Sequence, residues 1–580
     1  MRLSLRTRRV AIATFTLLSA FVLACSSAAD RLVGGGGGGG VMSAAVRLAA
    51  TTLTAGQTTQ ATATVMDSAG NLLSGQAIAW SSLNPGVASI SPAGVVSAVS
   101  PGTAVIRATV MQKTGDATLT VTPASGPSGG ATHIALTVVR FDGGSGPVLV
   151  SDAIPLTPGL LLPANTSQVR LYVAGVEQSM YVEALKGLHP DGSLRSILVQ
   201  FNTTLSASQP LAGELVVGEA RGTTDLAKPT VDRGLPVAAA LPTDPNYLIG
   251  TQIVGPTLTA SATTALGGSF AKYESDLTQW LDYQWGVSGA DWSAGNYYDR
   301  AFIYYSAWAR TGNPVYWNRG NQMAVNYRKG YLEANNYAPA YHWAQMEGVD
   351  AHYALTGDDM SAVAVQKVAD YYYYSITSYY QFDNMISSDD RIRSRLLTGL
   401  LLAWRLNPTG QAAFAGRPNM AYTSILDDAL NKIVATQGAD GANRYSVSDC
   451  GGTKSFENGL LNDALLRYYR FYNADARIPT YIKKSVDYLW TLWDPTTQGI
   501  EYVSVYCVND GGTDPVTPYP DLNNMIVNGF AFAYATTRDP VYLTRADQMF
   551  AASVATAWLT GSKQFNQEYA SSFQYLSLRQ

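Results

Sequence analysis

The chain has 580 residues, with 39 Lys and Arg against 43 Asp and Glu, a net charge of −4, 47% hydrophobic and 14% charged residues. That length exceeds one ordinary core and predicts two to four domains of globular composition. The near-even charge excludes the basic field that nucleic acid requires, and the 35 Tyr and 11 Trp suit a core and a sugar-binding cleft equally.

Arg2, Arg6, Arg8 and Arg9 precede an apolar run from Val10 to Ala24, the pattern of an export signal. The run ends in Val-Leu-Ala-Cys, Val22 to Cys25, which resembles a bacterial lipoprotein signal box. Cleavage of residues 1–24 and lipidation of Cys25 would hold the mature chain at the cell envelope, the outer membrane or cell surface, with no other membrane contact. An ordinary secretory signal is the alternative. Residues 25–40 include seven consecutive glycines, Gly34 to Gly40, and form a flexible tether. With Cys25 lipidated, Cys450 and Cys507 remain as an even pair in an oxidising compartment, and a disulfide between their Gly/Asp-rich loops is expected. Two free thiols are the alternative.

Residues 41–123 alternate with period two between Gly, Pro and Asn turns, the pattern of a small β-sandwich. The stretch AWSSLNPGVASISPAGVVSAVSPGTAVIRAT, with Trp80 on a strand and an Asn-Pro turn, resembles the bacterial Ig-like group 2 module. The resemblance implies a spacer or adhesive module without catalysis. Residues 124–131 read as a linker, and 132–235 as a second β-domain with a hairpin turn at Pro190-Asp191-Gly192.

From about Asp276 onward, within a domain expected over 236–580, the period becomes helical. Turns around Asn313, Asp358, Asn419, Asp475 and Asp539 recur about every 45 to 65 residues and predict helix hairpins. Asn313-Pro314 and Asp539-Pro540 place a cap before a Pro at the first helical position. The hairpins are expected over 296–333, 342–381, 390–437, 456–492 and 522–558. Segments near 271–284 and 565–579 would pair as first and last helices and close an (α/α)6 toroid over 236–580, hiding two apolar faces. An open solenoid is the alternative. The expected fold class is thus multidomain: an Ig-like β-sandwich, a second β-domain, then an all-α toroid.

The inner helices of such a ring begin at one end, where unpaired N–H groups and helix dipoles favour anions. Polar residues collect there in the sequence. The first helix opens with Asn296, Tyr298, Asp299 and Arg300, preceded by Trp292. The second has Tyr341, His342, Trp343 and Glu347, and the third Asp389, Asp390, Arg391, Arg393 and Arg395. The fourth has Lys454, Glu457 and Asn458, and the fifth Tyr519, Asp521, Asn523 and Asn524. Each has a plainer role: Asp299 and Asp390 as helix caps, His342 as a bonded core residue, the arginines as surface pairs. Tyr298, His342, Arg391 and Glu457 are the candidate catalytic groups. Trp292, Asp299, Arg300, Trp343, Glu347, Arg393, Asn458, Tyr519, Asn523 and Asn524 are candidates for substrate binding. No HExxH, CxxC, P-loop or GxSxG pattern appears. No cofactor is called for, and a divalent cation held by acids from several loops stays open.

The stretch HPDGSLRSILVQF, His189 to Phe201, is similar to a hairpin stretch in the β-domain of rhamnogalacturonan exolyase-like proteins. That resemblance, with a β-domain before a toroid, implies a polysaccharide-degrading enzyme and transfers no catalytic residue. A lyase would use Arg391 or Arg393, helped by Asn458 or Asn524, for a uronate carboxylate, with His342 or Tyr298 as base and the other as acid. A hydrolase would use two carboxyl groups among Asp299, Glu347, Asp390, Glu457 and Asp521. The non-enzyme reading is a glycan-binding or adhesive surface lipoprotein with an inert ring.

Overall fold

Period-two alternation yields strands through the first part of the chain, and the computed structural model describes residues 43–54, 58–91, 93–98, 102–122, 131–379, 389–444, 452–504 and 516–580. The leader, Cys25, the glycine tether, Cys450 and Cys507 lie outside the described residues. No helix among the described residues is long and apolar enough to cross a membrane.

The first module is a sandwich of two four-stranded sheets. One has the order β1 (Ser43–Leu48), β3 (Thr58–Met66), β6 (Val95–Ala98), β5 (Ala88–Ile90). The other has β2 (Thr52–Thr54), β8 (Lys113–Thr122), β7 (Gly102–Val110), β4 (Ala79–Ser82). Ala104, Ile106 and Ala108 alternate inward along β7, and the first two join Leu48, Val96 and Leu119 in the core. Trp80 stands on β4 against this core.

The second β-domain has eight strands: β9 (Thr132–Arg140), β10 (Ser145–Pro155), β11 (Val169–Val173), β12 (Val176–Glu177), β13 (Tyr181–Ala184), β14 (Ser196–Ser206), β15 (Leu211–Val217) and β16 (Ala238–Pro242). They form a five-stranded sheet, β12-β11-β15-β9-β16, and a three-stranded sheet, β10-β14-β13. Leu136 and Val138 of one pack against Ile197, Val199 and Phe201 of the other. The domain extends past the expected boundary at 235, because β16 pairs with β9, Ala238 opposite Arg140 and Pro242 opposite Leu136.

The helices are α1 (Pro245–Gly250), α2 (Ala260–Ala265), α3 (Gly268–Ser288), α4 (Trp292–Gly295), α5 (Arg300–Thr311), α6 (Pro314–Tyr327), α7 (Glu347–Thr356) and α8 (Asp359–Tyr379). They continue as α9 (Asp390–Leu406), α10 (Tyr422–Thr436), α11 (Ser455–Phe471), α12 (Arg477–Trp490), α13 (Val527–Thr537), α14 (Pro540–Thr556), α15 (Ser562–Tyr569) and α16 (Phe573–Leu578). The repeated turns work as their residues dictate. Asn313 accepts from the Val315 N–H at 3.0 Å and Asp539 from the Val541 N–H at 3.0 Å, each with Pro at the next position. Asn419 does not cap: α10 starts at Tyr422 after a short bridge, with Ala421 at its cap position.

These hairpins close into an (α/α)6 toroid. The inner helices pack in sequence, α5 on α7, α9 on α11, α11 on α13 and α13 on α16, and α15 returns to α5. Outside, α14 packs on α3. The last segment is two short helices rather than one. Hydrogen bonds seal the seam: the Tyr273 and Ser572 hydroxyls lie 2.6 Å apart, and the Gln284 amide donates to the Leu559 carbonyl at 2.7 Å. An inner helix is enclosed on all sides, which is why α5, AFIYYSAWAR, is buried from Arg300 to Arg310. The β-domain covers the C-terminal ends of the inner helices. His352 near the end of α7 lies 2.8 Å from the Gly234 carbonyl, and the Lys186 N–H donates to the Tyr353 hydroxyl at 2.8 Å. The N-terminal ends face the other way, so the long loops and the candidate residues share that rim.

Candidate active site

The rim is built around a left-handed turn. Tyr298 and Asp299 both have positive φ, 63° and 58°. Two consecutive non-glycine residues in this region cost on the order of 1–2 kcal/mol each. The turn sends adjacent side chains in different directions. Tyr297 remains half-exposed at the rim. Tyr298 is buried among Phe456, Leu460, Leu522 and Met525. Asp299 caps α5 through the Phe302 N–H at 3.1 Å and receives the Gly348 N–H of α7 at 2.8 Å. Gly348 permits this approach: a Cβ there would lie 2.3 Å from the Asp299 carboxylate and 2.8 Å from Ala301 Cβ.

Tyr297, rather than Tyr298, is the tyrosine among the exposed groups. Arg391 Nη1 donates to its hydroxyl at 3.5 Å, and Lys563 Nζ stands 5.6 Å from its ring centre. The His342 ring is 6.1 Å away and Trp343 meets it edge-on at 4.9 Å. Trp343 in turn meets Trp292 at 5.5 Å, and Trp292 stacks on Tyr331 at 4.3 Å. The result is an aromatic strip from Tyr331 to Tyr297 that ends at the cations Arg391 and Lys563, with His342 beside them. Its rings are half-buried, so part of this aromatic surface remains open to solvent.

Arg391 is half-buried. It pairs with Asp389 at 3.0 Å and lies 3.7 Å from Glu457. Burial opposes its charge, but Asp389 and Glu457 outweigh burial and hold its proton more firmly than usual. His342 is exposed and makes no side-chain hydrogen bond among the described residues. Partial burial and the neighbouring Arg391 cation push its pKa below the ordinary histidine value, while Asp389 opposes them. Its imidazole is therefore neutral at pH 7. Burial and Arg391 likewise lower the Lys563 ammonium.

Beneath the rim lies a closed polar layer. Asp299, Glu347, Arg395, Asp463 and Arg467 line a cavity of about 30 Å³ with Tyr298 and Ser571. That is space for about two waters, not a sugar ring. Glu347 is 3.9 Å from both Arg395 and Arg467. Burial and the Glu347 charge push Asp299 above the usual carboxylate range. Burial also acts on Glu347, but Arg467 and Arg395 outweigh it and hold that carboxyl low.

The remaining candidates bind neighbouring helices. Arg300 is fully buried in the seam, where it donates to Asn566 at 2.9 Å, Gln284 at 3.1 Å and Ser288 at 3.2 Å. Arg393 turns away from the axis to Asp390 at 3.1 Å and Thr436 at 3.4 Å. Asn458 donates to Asp390 at 2.6 Å and so ties α11 to α9; burial pushes Asp390 up to about 6. Asn523 donates to the Gln498 and Met549 carbonyls at 2.9 and 3.2 Å. Tyr519 is exposed, 5.7 Å from the Tyr502 ring, apart from the Arg391 group. Glu457 is buried beside Arg391. Tyr297, Arg467 and Lys563 were not among the sequence candidates, and Arg395 was placed at the rim without a role. Arg395 had a signal, one helical turn beyond Arg391. Among the described residues, no group of three His, Cys, Asp or Glu is placed to hold a metal.

Asn524 serves a buried acid. It donates to Glu568 at 2.8 Å, and the Ser553 hydroxyl donates to the other oxygen at 2.7 Å. Burial nevertheless pushes Glu568 up to about 8, against these two bonds. A carboxyl raised on folding keeps its proton in the folded state, so stability falls as pH rises from the unfolded value near 4.5 to about 8. Urea titrations across that range will show Glu568→Gln losing this fall, which is on the order of 4 kcal/mol.

Residues 41–121 match the bacterial Ig-like domain (group 2) family. No curated protein matches the chain in sequence. Among solved structures, the chain is similar to an unsaturated glucuronyl hydrolase, responsible for the degradation of glycosaminoglycan, from Bacillus sp. GL1. The identity is 12% and the TM-score 0.35, over 47% of this chain and 75% of that one. It is also similar to domains 4 and 5 of the S-layer protein SbsC, at 18% identity and TM-score 0.13 over 35% of this chain and 98% of that one. Similarity at these scores carries no argument about chemistry.

Proposed function

We propose that the rim binds an acidic polysaccharide and cleaves it by β-elimination at a uronate. The observation that carries this reading is the grouping of Arg391, Tyr297, His342 and Lys563 at the end of the aromatic strip. Arg391, helped by Lys563, faces the uronate carboxylate and makes the adjacent ring proton more acidic. Neutral His342 removes that proton from C5. The electrons form the C4–C5 double bond, the C4–O bond breaks, and Tyr297 protonates the leaving oxygen. Trp343 and Trp292 hold neighbouring sugar rings. The buried layer of Glu347, Arg395 and Arg467 fixes the floor and does not touch the glycan.

In the mature protein, the Ig-like module and tether carry this ring on a lipid at Cys25, at the cell envelope. The hairpin resemblance to rhamnogalacturonan exolyase-like proteins agrees with this substrate class. Because His342 acts unprotonated, the acid limb of kcat against pH falls below the ordinary histidine value of about 6.5. A pH profile checks this. His342→Ala and Tyr297→Phe each lower kcat by about 100-fold with glycan affinity retained. Affinity and turnover lost together in both variants would count against these roles.

The second reading is hydrolysis by Asp299 and Glu347, whose pKa values diverge in the way a general acid and a charged carboxylate require. It needs the two-water cavity to open enough to admit a glycosidic bond. Asp299→Asn separates the readings: elimination keeps its turnover and hydrolysis loses it.

A further inference from the structure

The HPDGS hairpin plays no part at the rim. It packs at the opposite end of the ring, where the β-domain meets the helices. Its turn is fixed by the His189 N–H on the Ser193 carbonyl at 2.9 Å and by Asp191, which accepts from the Ser193 N–H and hydroxyl at 2.9 and 2.6 Å. Arg195 lies between this turn and the start of β14 at Ser196. Beside this hairpin is a cavity of about 430 Å³, within the ligand-sized range of roughly 300–1,000 Å³. It is far larger than the space beneath the rim.

The cavity wall is specific in its chemistry. Trp404 and Tyr472, edge to face at 4.9 Å, supply aromatic surface with Phe471. Arg195 and Arg405 supply cations. Both reach the same carboxylate, Asp350: Arg195 Nη1 at 3.7 Å and Arg405 in a short ion pair. The two cations share this one anion at the inner wall, and the other carboxylate of the cavity, Asp427, stands at its opening. Arg195 is only 4% exposed, and its Nη2 has no hydrogen-bond partner. Nε of Arg405 also lacks one. A buried guanidinium with an unused donor costs free energy unless a ligand or solvent meets it. At the opening, Asp427 and Asn473 offer groups for hydroxyls.

We propose that this junction is a second glycan site, which binds one hexuronate unit with its carboxylate on Arg195 and Arg405 and its ring against Trp404 and Tyr472. It uses none of the rim groups. The choice of a sugar acid rests on the reading of the rim as a site for acidic glycans, while the site itself stands on its own geometry. It would hold a chain end, or a released acidic sugar, at the far end of the axis from the cleavage site.

Calorimetric titration of the full chain with glucuronate and galacturonate, and with glucose and galactose as neutral counterparts, tests this. The acids bind and the neutral sugars bind at least about tenfold more weakly. Arg195→Met removes the acid binding of this site and leaves binding at the rim. Asn473→Trp fills the opening without touching the core and has the same effect, so a folding defect in the Arg195 variant does not decide the result. Arg391→Met leaves the binding in place. Binding lost in Arg391→Met but kept in Asn473→Trp assigns the sugar to the rim and overturns the proposal, as does absence of acid binding or of any acid preference. Elimination activity is not read in this experiment, so its presence or absence bears only on the rim.

Discussion

Arg391→Met lowers kcat/KM on an acidic polysaccharide by about two to three orders of magnitude, while binding of a neutral polysaccharide is unchanged. The guanidinium is held at the rim by Asp389 at 3.0 Å and stands beside Glu457 and the Tyr297 hydroxyl. In elimination, negative charge develops on the carboxylate as the ring proton leaves. A fixed cation there is worth more in the transition state than in the bound substrate, so kcat falls as well as affinity. Arg391→Lys keeps the charge but loses the planar pair of donors, and recovers part of kcat at most. Steady-state kinetics on the three proteins gives the split. Equal kcat in wild type and Arg391→Met removes Arg391 from the chemistry.

Arg300→Met acts on stability instead. Arg300 follows Asp299 directly, yet its donors serve the closure of the ring: Asn566 on α15, Gln284 and Ser288 on α3, and the Ser562 hydroxyl at 2.9 Å. Its guanidinium also lies 5.3 Å from the Phe565 ring centre. Met fills much of the volume but leaves two buried amide oxygens unpaired, at about 1–3 kcal/mol each. The helical domain loses about 3 kcal/mol or more, and its unfolding midpoint drops in urea. At temperatures where the variant is folded, KM for the glycan is unchanged. A raised KM with unchanged stability would return Arg300 to substrate binding.

The helical ring was legible because its turns are local chemistry. A side-chain cap followed by Pro, as at Asn313-Pro314 and Asp539-Pro540, dictates a helix start wherever it occurs. The closing pair was legible because two unpaired apolar helices must cover one another. The strand Ala238–Pro242 was not, since AAALP is buried on both faces and shows no alternation. At the site, the sequence located the rim but not which side chains point into it. Tyr298 was the sequence candidate rather than its neighbour, but the left-handed turn at Tyr298 and Asp299 buries Tyr298 and leaves Tyr297 at the rim. Arg391, Arg393 and Arg395 are alike in sequence, and helical spacing separates them. Arg391 stays at the rim, Arg393 turns to α10, and Arg395 lies under Tyr298 with its guanidinium 5.8 Å from the ring. Lys563 left no signal, because it reaches Tyr297 only after the last helices return to the first.

The most direct test incubates the full chain with polyuronates and neutral polysaccharides and follows near-ultraviolet absorbance and reducing ends together. Elimination creates one conjugated double bond for each new reducing end, so both rise in parallel on polyuronates, and His342→Ala slows both by about 100-fold. Reducing ends without absorbance contradict elimination and shift the chemistry to Asp299 and Glu347. No change in either, with glycan still bound, contradicts catalysis and leaves the rim as a binding surface.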